Sequence, residues 1–192
     1  DSVMNYPFRE AIIGFLTGKN PAEMMEQIMT ILEHYPPSAI HLLMNHIGTH
    51  DTERILTVLG GEPLNGRDRE WQSKTKLSQE QRSKGLALLK LASLMQYTLP
   101  GIPCVYYGDE AGQVGFTDPD NRRTYPWGSE DMDLLNFHRE MIRIHKEHEA
   151  FKTGSIQFVW GEYNFLCYAR YNRREHFLVV LNNDAVSRTV EM

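Results

Sequence analysis

The sequence predicts an α/β fold built on a parallel sheet, followed by a shorter all-β unit. Residues 1–151 alternate apolar strand-like runs with amphipathic segments in the order β-α-β-α-β-α, which is typical of a parallel sheet with right-handed crossovers. After Phe151 the helical pattern stops, and three strand-like runs follow with tight turns between them: GSIQFVWG, YNFLCYARYN and EHFLVVLNN. We therefore place a domain boundary near residue 152 and predict two units, residues 1–151 and 152–192.

The start of the chain predicts a short strand and two helices. DSVMNYPF is strand-like, and FREAIIGFLTG is a helix that Gly18 closes. The second helix has Asn20 as its N-cap and Pro21 at its first position, and it ends before Pro36 and Pro37.

The rest of the first unit predicts two buried strands and three helices. AIHLLMN is a nearly continuous apolar run, as in a parallel strand buried on both faces. A short helix, TERILTVLGG, and a polar loop, EPLNGRDREWQSKTK, follow it. A long helix with a Ser78–Gln81 capping box covers LSQEQRSKGLALLKLASLMQYTLPG. IPCVYYGDE is the second strand, and a polar loop leads from it to the helix EDMDLLNFHREMIRIHKEHE.

The charge and the apolar pattern of the sequence limit which binding partners and which location are expected for the protein. The net charge is −5 and neither half carries a basic run, so a nucleic-acid partner is not expected. No apolar stretch approaches the roughly 20 residues of a membrane span. DSVMNYPFRE lacks a signal-peptide pattern and an initiator Met, so we expect a processed chain or an excised piece. The location stays open, with the cytoplasm slightly favoured. Cys104 and Cys167 are expected to be buried free thiols rather than a disulfide or a metal pair.

Three ligand motifs are considered and set aside. His46 and His50 are four residues apart, but they follow a strand, and Ile47 occupies the position at which the helical zinc motif has Glu. YGDEAGQVG lacks the Lys of a phosphate-binding loop, and DPDNR lacks the glycine and distal glutamate of a calcium loop. No metal site and no cofactor are predicted.

Polar side chains follow both predicted strands of the first unit. Ligands bind at the carboxyl ends of strands in parallel α/β sheets, so side chains that follow neighbouring strands belong to one rim. Here they are His50-Asp51 after the first strand, Asp109-Glu110 after the second, and Asp118 and Arg122 in the next loop. Such a rim suits a neutral polyhydroxylated ligand, because carboxylates accept hydrogen bonds from hydroxyls and aromatic faces stack on sugar rings. The alternative is that these charges only cap loops and form ion pairs.

Three segments resemble conserved regions of the α-amylase superfamily, glycoside hydrolase family 13. NHIGTHDTERI is similar to the fourth conserved region, LPGIPCVYYGDEAGQVGFTDPDNRRTYPW to the strand-eight region, and DSVMNYPFR to the strand-six segment. They resemble most closely the neopullulanase, cyclomaltodextrinase and maltogenic amylase branch. The resemblance implies strands six to eight of a (β/α)₈ barrel over residues 1–151 and the start of an all-β, β-sandwich C domain over residues 152–192.

The resemblance also implies a reaction and roles for individual residues. The reaction is retaining hydrolysis of α-glucosidic bonds in maltodextrin, cyclodextrin, pullulan or starch, with transglycosylation as a variant. Asp51 matches the third carboxylate, which binds the distorted sugar, and His50 matches the histidine that stabilises the transition state. Asp118 and Arg122 match a pair that holds a sugar on the donor side. Arg54 is expected behind the site, paired with a carboxylate, with a surface position as the alternative.

Two carboxylates that the chemistry needs are not in this sequence. In the family the nucleophile follows strand four and the acid/base follows strand five, whereas the resemblance begins here at strand six. We therefore expect this chain to be inactive alone, because a site that lacks both groups loses most of its rate. The expected partner is an α-glucan. The open sheet edges are expected either to bind further copies of the chain or to be packed under the chain's own helices. The alternatives are a non-catalytic superfamily member in transport or assembly and a surface starch-binding module.

Overall fold

A computed structural model describes residues 2–187 and 189 of the chain. In the first unit the helices are α1 to α8: Tyr6–Leu16, Pro21–His34, Pro37–Ile40, Ile55–Gly60, Arg69–Lys74, Gln79–Thr98, Met132–Glu147 and Glu149–Lys152. Two short strands, β1 (Met44–Asn45) and β2 (Ile102–Pro103), lie among them, and a 3₁₀ turn covers Asp120–Arg122. Three longer strands follow: β3 (Ser155–Glu162), β4 (Phe165–Tyr171) and β5 (His176–Asn182). In the described residues, no helix is both long and apolar enough to cross a membrane.

The strands of the first unit are parallel and adjacent in chain order. Met44 pairs with Ile102, and an isolated parallel bridge joins Met4 to Met44. β1 therefore lies between the segment at Met4 and β2, which is the order expected for successive βα units. The carboxyl ends of all three segments face one rim.

All three predicted strands of this unit are shorter than the sequence indicated. DSVMNYPF contributes a single bridge at Met4, and its last residues, from Tyr6, belong to α1. The prediction was wrong for the start of AIHLLMN, because Pro37 takes the first position of α3 and only Met44 and Asn45 pair. In IPCVYYGDE only Ile102 and Pro103 are in β2, and Ile102 is 44% exposed rather than buried. A strand is buried on both faces only where other elements cover it, and these strands pair over two residues each.

The helix ends are largely those that the sequence predicts. Asn20 accepts from Ala22 N at the start of α2, and Ser78 and Gln81 form the capping box of α6. Gly18 follows α1 with a φ of 104°, the left-handed conformation expected of a closing glycine. The prediction of a pure loop at EPLNGRDREWQSKTK was wrong, since α5 lies inside it, with Asp68 as its N-cap.

The hydrophobic core joins the helices to the antiparallel sheet. Side chains from α1, α2, α4 and α6 pack with Leu166, Tyr168 and Leu181 of the sheet. Arg170 of β4 is fully buried and donates to the carbonyl oxygens of Thr98 and Ala150, at the ends of α6 and α8. The carbonyl oxygens at helix ends have no donor within the helix, so Arg170 supplies one and thereby attaches the sheet to the helices. Burial lowers the pKa of Arg170 to about 10.

The three sheet strands are antiparallel in the order β3-β4-β5, as the sequence predicts. A bulge lies between Phe158 and Trp160. Cys167 is buried in β4, whereas Cys104 is only partly buried, and both are free thiols. The predicted burial of both cysteines is therefore wrong for Cys104, and no disulfide joins them.

Candidate active-site rim

The structure brings four of the predicted site residues together at the rim. His50 Nε2 lies 3.2 Å from Asp51 Oδ1. Arg122 joins the two loops, because its Nε lies 2.6 Å from Asp118 Oδ1 and its Nη2 lies 3.9 Å from Asp51 Oδ1. All four side chains are between 44% and 61% exposed. They form an open polar surface, which we call the rim cluster.

A compact turn sets the position of Asp51. Asp51 N donates to Thr49 Oγ1 at 3.2 Å, and Thr49 N donates to Thr52 Oγ1 at 3.2 Å. The two threonine hydroxyls lie 3.3 Å apart. These bonds within residues 49–52 shape the loop locally, in the manner of threonine side chains that bond nearby backbone groups.

Arg54 lies directly behind this turn and is fully buried. Its Nη1 lies 3.1 Å from Asp109 Oδ1, and its Nε donates to Asn121 O at 2.7 Å. The guanidinium carbon is 4.2 Å from the ring centroid of Tyr106 and 4.7 Å from that of Tyr107. Of the two positions considered for Arg54, the structure shows the buried one, paired with a carboxylate.

Asp109 is part of this buried support and not of the exposed rim cluster. Burial raises the pKa of Asp109 to about 7, although the positive charge of Arg54 opposes the increase. Asp109 Oδ2 has no hydrogen-bond partner and faces Gly48, where a Cβ would lie only 2.0 Å from it. Of the predicted pair Asp109-Glu110, Asp109 therefore lies beneath the rim, where it supports the loop that carries Asp51 through its contact with Arg54.

The two histidines of the set-aside zinc motif lie in different surroundings. His46 is buried, with its ring 4.5 Å from the Tyr6 ring, whereas the His50 side chain is 53% exposed. Burial, with a smaller contribution from the charge of Arg9, lowers the pKa of His46 to about 4. His46 is therefore neutral at pH 7, and Arg9 donates to the adjacent Ile47 O at 3.0 Å.

Asn121 is a structural residue of the rim that sequence reasoning missed. It is 0% exposed, and its Nδ2 donates to His50 O and to Thr52 O, each at 2.8 Å. An asparagine in a loop rich in Asn, Asp and Pro is ordinary, so the sequence carries no local signal of this contact. The contact joins residues 71 positions apart.

The rim cluster can bind hydroxyl groups and stabilise positive charge. Asp51 and Asp118 are acceptors with several lone pairs, and Arg122 and His50 can donate to oxygen atoms. Arg122 contacts both carboxylates and so reduces the repulsion between them. These are the properties of a binding site for a polar, uncharged ligand.

Parallel βα units with a polar rim at the strand ends are typical of α/β folds, including α/β barrels. Residues 1–153 match the family model of the alpha-amylase catalytic domain, and the chain belongs to that family. The fold is the C-terminal part of a (β/α)₈ barrel followed by the start of an all-β domain.

The chain is similar to part of several longer enzymes. It is 40% identical over 184 residues to the amylopullulanase of Thermoanaerobacter thermohydrosulfuricus, covering 88% of this chain and 12% of that enzyme. It is 35% identical to neopullulanase 2 of Thermoactinomyces vulgaris, covering 99% of this chain and 30% of that enzyme. The debranching enzyme of Nostoc punctiforme superposes with a TM-score of 0.79 at 28% identity, over 95% of this chain and 36% of the other. The chain thus spans about a third or less of these relatives.

Proposed function

We propose that this chain supplies the C-terminal part of the active site of a retaining α-glucan hydrolase. The observation that carries the proposal is the rim cluster, in which Asp51, His50, Asp118 and Arg122 meet at the carboxyl ends of parallel strands. The substrates that follow from the resemblance are maltodextrin, cyclodextrin, pullulan or starch. Relatives named amylopullulanase and neopullulanase support this substrate class.

In this proposal Asp51 binds hydroxyls of the sugar whose bond is cleaved. Positive charge develops on that sugar in the transition state, so a carboxylate beside it stabilises the transition state more than the ground state. His50, 3.2 Å from Asp51, hydrogen bonds to the same sugar. Asp118 and Arg122, paired at 2.6 Å, hold a sugar further along the donor side. Arg54 supports the Asp51 loop from behind and does not touch substrate.

The nucleophile and the acid/base come from residues outside these 192. A retaining enzyme needs its two carboxyl groups about 5–5.5 Å apart on either side of the scissile bond, and Asp51 belongs to neither role. We therefore propose that residues 1–151 complete a barrel with preceding strands, that residues 152–192 belong to a β-sandwich C domain, and that the 192-residue chain is inactive alone.

The test uses the full-length polypeptide that contains these residues, the 192-residue chain and two variants. We expect the full-length protein to hydrolyse pullulan or cyclodextrin and the 192-residue chain to release no reducing sugar. Asp51→Asn should lower kcat by at least about 100-fold, because it removes the negative charge beside the reacting sugar. Asp133→Asn is the matched control, since Asp133 is an exposed carboxylate on α7 that is also paired with a cation, Lys90. Maltodextrin binding without turnover by the full-length protein would instead support the non-catalytic alternative.

The 192-residue chain alone leaves apolar surface near its parallel strands. Val3 is 59% exposed, Leu42 is 42% exposed, and Ile102 in the edge strand β2 is 44% exposed. Uncovered strand edges with apolar side chains favour association, so we propose that the isolated chain self-associates. Light scattering should give a mass above that of the 22.3 kDa monomer, and a stable monomer would contradict this.

A further inference from the structure

We infer that Asn121 is a positioning residue that fixes the catalytic loop bearing Asp51, an inference that rests on the proposed function. The Asn121 amide nitrogen donates to the carbonyl oxygens of His50 and Thr52, the residues on either side of Asp51. Both distances are 2.8 Å, which is within the range of a good N–H···O bond. A single side chain thus binds the peptide unit that precedes the Asp51 Cα and, through Thr52 O, the second peptide unit after it.

Burial makes this contact strong and rigid. Asn121 is 0% exposed, so water does not compete for its two N–H groups. Removing it would leave two partly buried carbonyl oxygens without this donor, which is unfavourable for polar groups that water reaches only in part. The surrounding structure fixes Asn121 in turn, because the buried Arg54 donates from Nε to Asn121 O at 2.7 Å.

The contact also couples the two loops of the rim cluster. Asn121 lies within the turn that carries Asp118 and Arg122, and its side chain reaches the turn that carries His50 and Asp51. Arg54 N donates to Gly115 O at 2.9 Å, which gives a second connection at the other end of the same loop. The distance between Asp51 and the Asp118–Arg122 pair is therefore set by Asn121 and by these neighbours. A shift of about 1 Å in a reacting group can cost on the order of 100-fold in rate.

A matched control exists elsewhere in the chain. Gln96 of α6 is also a buried amide, 1% exposed, and its Nε2 donates to two backbone carbonyls, Asn45 O at 3.0 Å and Cys104 O at 2.9 Å. It supports β1 and the residue after β2, and it does not bond residues 49–52. Replacing Gln96 therefore removes a buried amide that donates two hydrogen bonds, and lowers stability for the same reason, without loosening the turn that carries Asp51.

The experiment compares Asn121→Leu, which keeps the branched shape, with Gln96→Met in the full-length polypeptide. Amide hydrogen exchange is measured over residues 49–54, and kcat and KM are measured on pullulan or cyclodextrin at a temperature at which circular dichroism shows the native fold. We expect exchange in this segment to rise by about tenfold or more in Asn121→Leu and by less than about twofold in Gln96→Met. We expect kcat to fall by about 10- to 100-fold in Asn121→Leu, with KM changed by less than about threefold.

A double variant distinguishes positioning from general destabilisation. If Asn121 acts through Asp51, then adding Asn121→Leu to Asp51→Asn should lower kcat by less than about twofold. If Asn121→Leu does not fold, Asn121→Ser gives the same comparison, because it retains one donor and adds no bulk. Asn121→Ser should raise the exchange of residues 49–54 and lower kcat in the same directions as Asn121→Leu, but by smaller factors.

The outcomes separate this inference from the proposed function. Unchanged exchange in residues 49–54 would overturn the role of Asn121, whatever the activity. Faster exchange with unchanged kcat in an active enzyme would overturn the positioning role. Faster exchange in a full-length protein that hydrolyses no α-glucan would overturn the proposed function and the catalytic consequence, and would leave the contact between the loops supported.

Discussion

Replacing Arg54 with methionine removes a fully buried guanidinium from the contact between the loops that follow β1 and β2. The side chain is 0% exposed, and the Asp109 side chain with which it pairs at 3.1 Å is 1% exposed. Breaking a buried ion pair by removing one partner costs about 3–5 kcal/mol. A buried carbonyl that loses its donor costs about 1–3 kcal/mol, and Arg54 donates to the buried Asn121 O and to the partly buried Tyr107 O. We therefore expect Arg54→Met to lower the free energy of unfolding by at least about 4 kcal/mol.

Urea denaturation of the full-length protein measures this loss. The double variant Arg54→Met/Asp109→Leu should be more stable than Arg54→Met, because it also removes the carboxyl group, ionised or protonated, that the single variant leaves buried without its partner. Lys74→Met is the comparison for an exposed pair, since Lys74 and Glu70 are 72% and 73% exposed, and it should cost less than about 1 kcal/mol. A loss below about 1 kcal/mol for Arg54→Met would refute the reasoning from burial. A double variant no more stable than the single one would show that the carboxylate is not the main cost.

Three further predictions follow from the same contacts. Because burial raises the pKa of Asp109 from 3.8 to about 7, the folded state binds this proton more tightly than the unfolded chain does. The contribution of Asp109 to stability therefore falls as pH rises from about 4 to about 7. The difference in Tm between wild type and Asp109→Asn should change over this pH range and stay constant above it. A difference in Tm that is the same at every pH would contradict the raised pKa. Gly48→Ala should lower the free energy of unfolding in urea by about 1–3 kcal/mol, because the new Cβ would lie 2.0 Å from Asp109 Oδ2. The control Gly14→Ala should be neutral or stabilising, because Gly14 lies in a helix and the new Cβ would meet only a flexible lysine side chain. Ser78→Ala should cost about 1 kcal/mol through loss of the capping box with Gln81, and an unchanged urea midpoint would mean that the start of α6 is held by tertiary contacts.

Much of the candidate site could be predicted because its residues lie in the loops that follow the parallel strands. Asp51 and Asp118 lie on neighbouring loops, and the rule that parallel strands share a carboxyl edge places them at one rim without knowledge of the packing. The resemblance to a family then assigned roles to them. Arg54 was placed behind the site, but its partner was not identified, because Asp109 is 55 positions away in the chain.

The predictions of the parallel strands were wrong where an apolar run does not show which elements will cover it in the folded chain. AIHLLMN is apolar throughout, yet Leu42 is 42% exposed and only the last two residues pair. An apolar run can be a buried strand, a short helix or an exposed edge, and the choice depends on the elements that cover it. Pro37 favours the helical start, because its fixed φ suits the first helical position.

By itself the sequence determined the helix ends, the antiparallel hairpins, the family resemblance and the four residues of the rim cluster. The helix ends and the hairpins depend on interactions within a few residues or on alternation along one element, so the local order of side chains encodes them. The rim residues were predicted from the shared carboxyl edge of parallel strands and from the resemblance. The tertiary structure alone decided that Arg54 pairs with Asp109 and that the pKa of Asp109 rises to about 7. It also decided that Asn121 holds the backbone on both sides of Asp51. These properties come from burial and from contacts between loops that are 55 and 71 residues apart in the chain, and both exist only once the two loops have packed together.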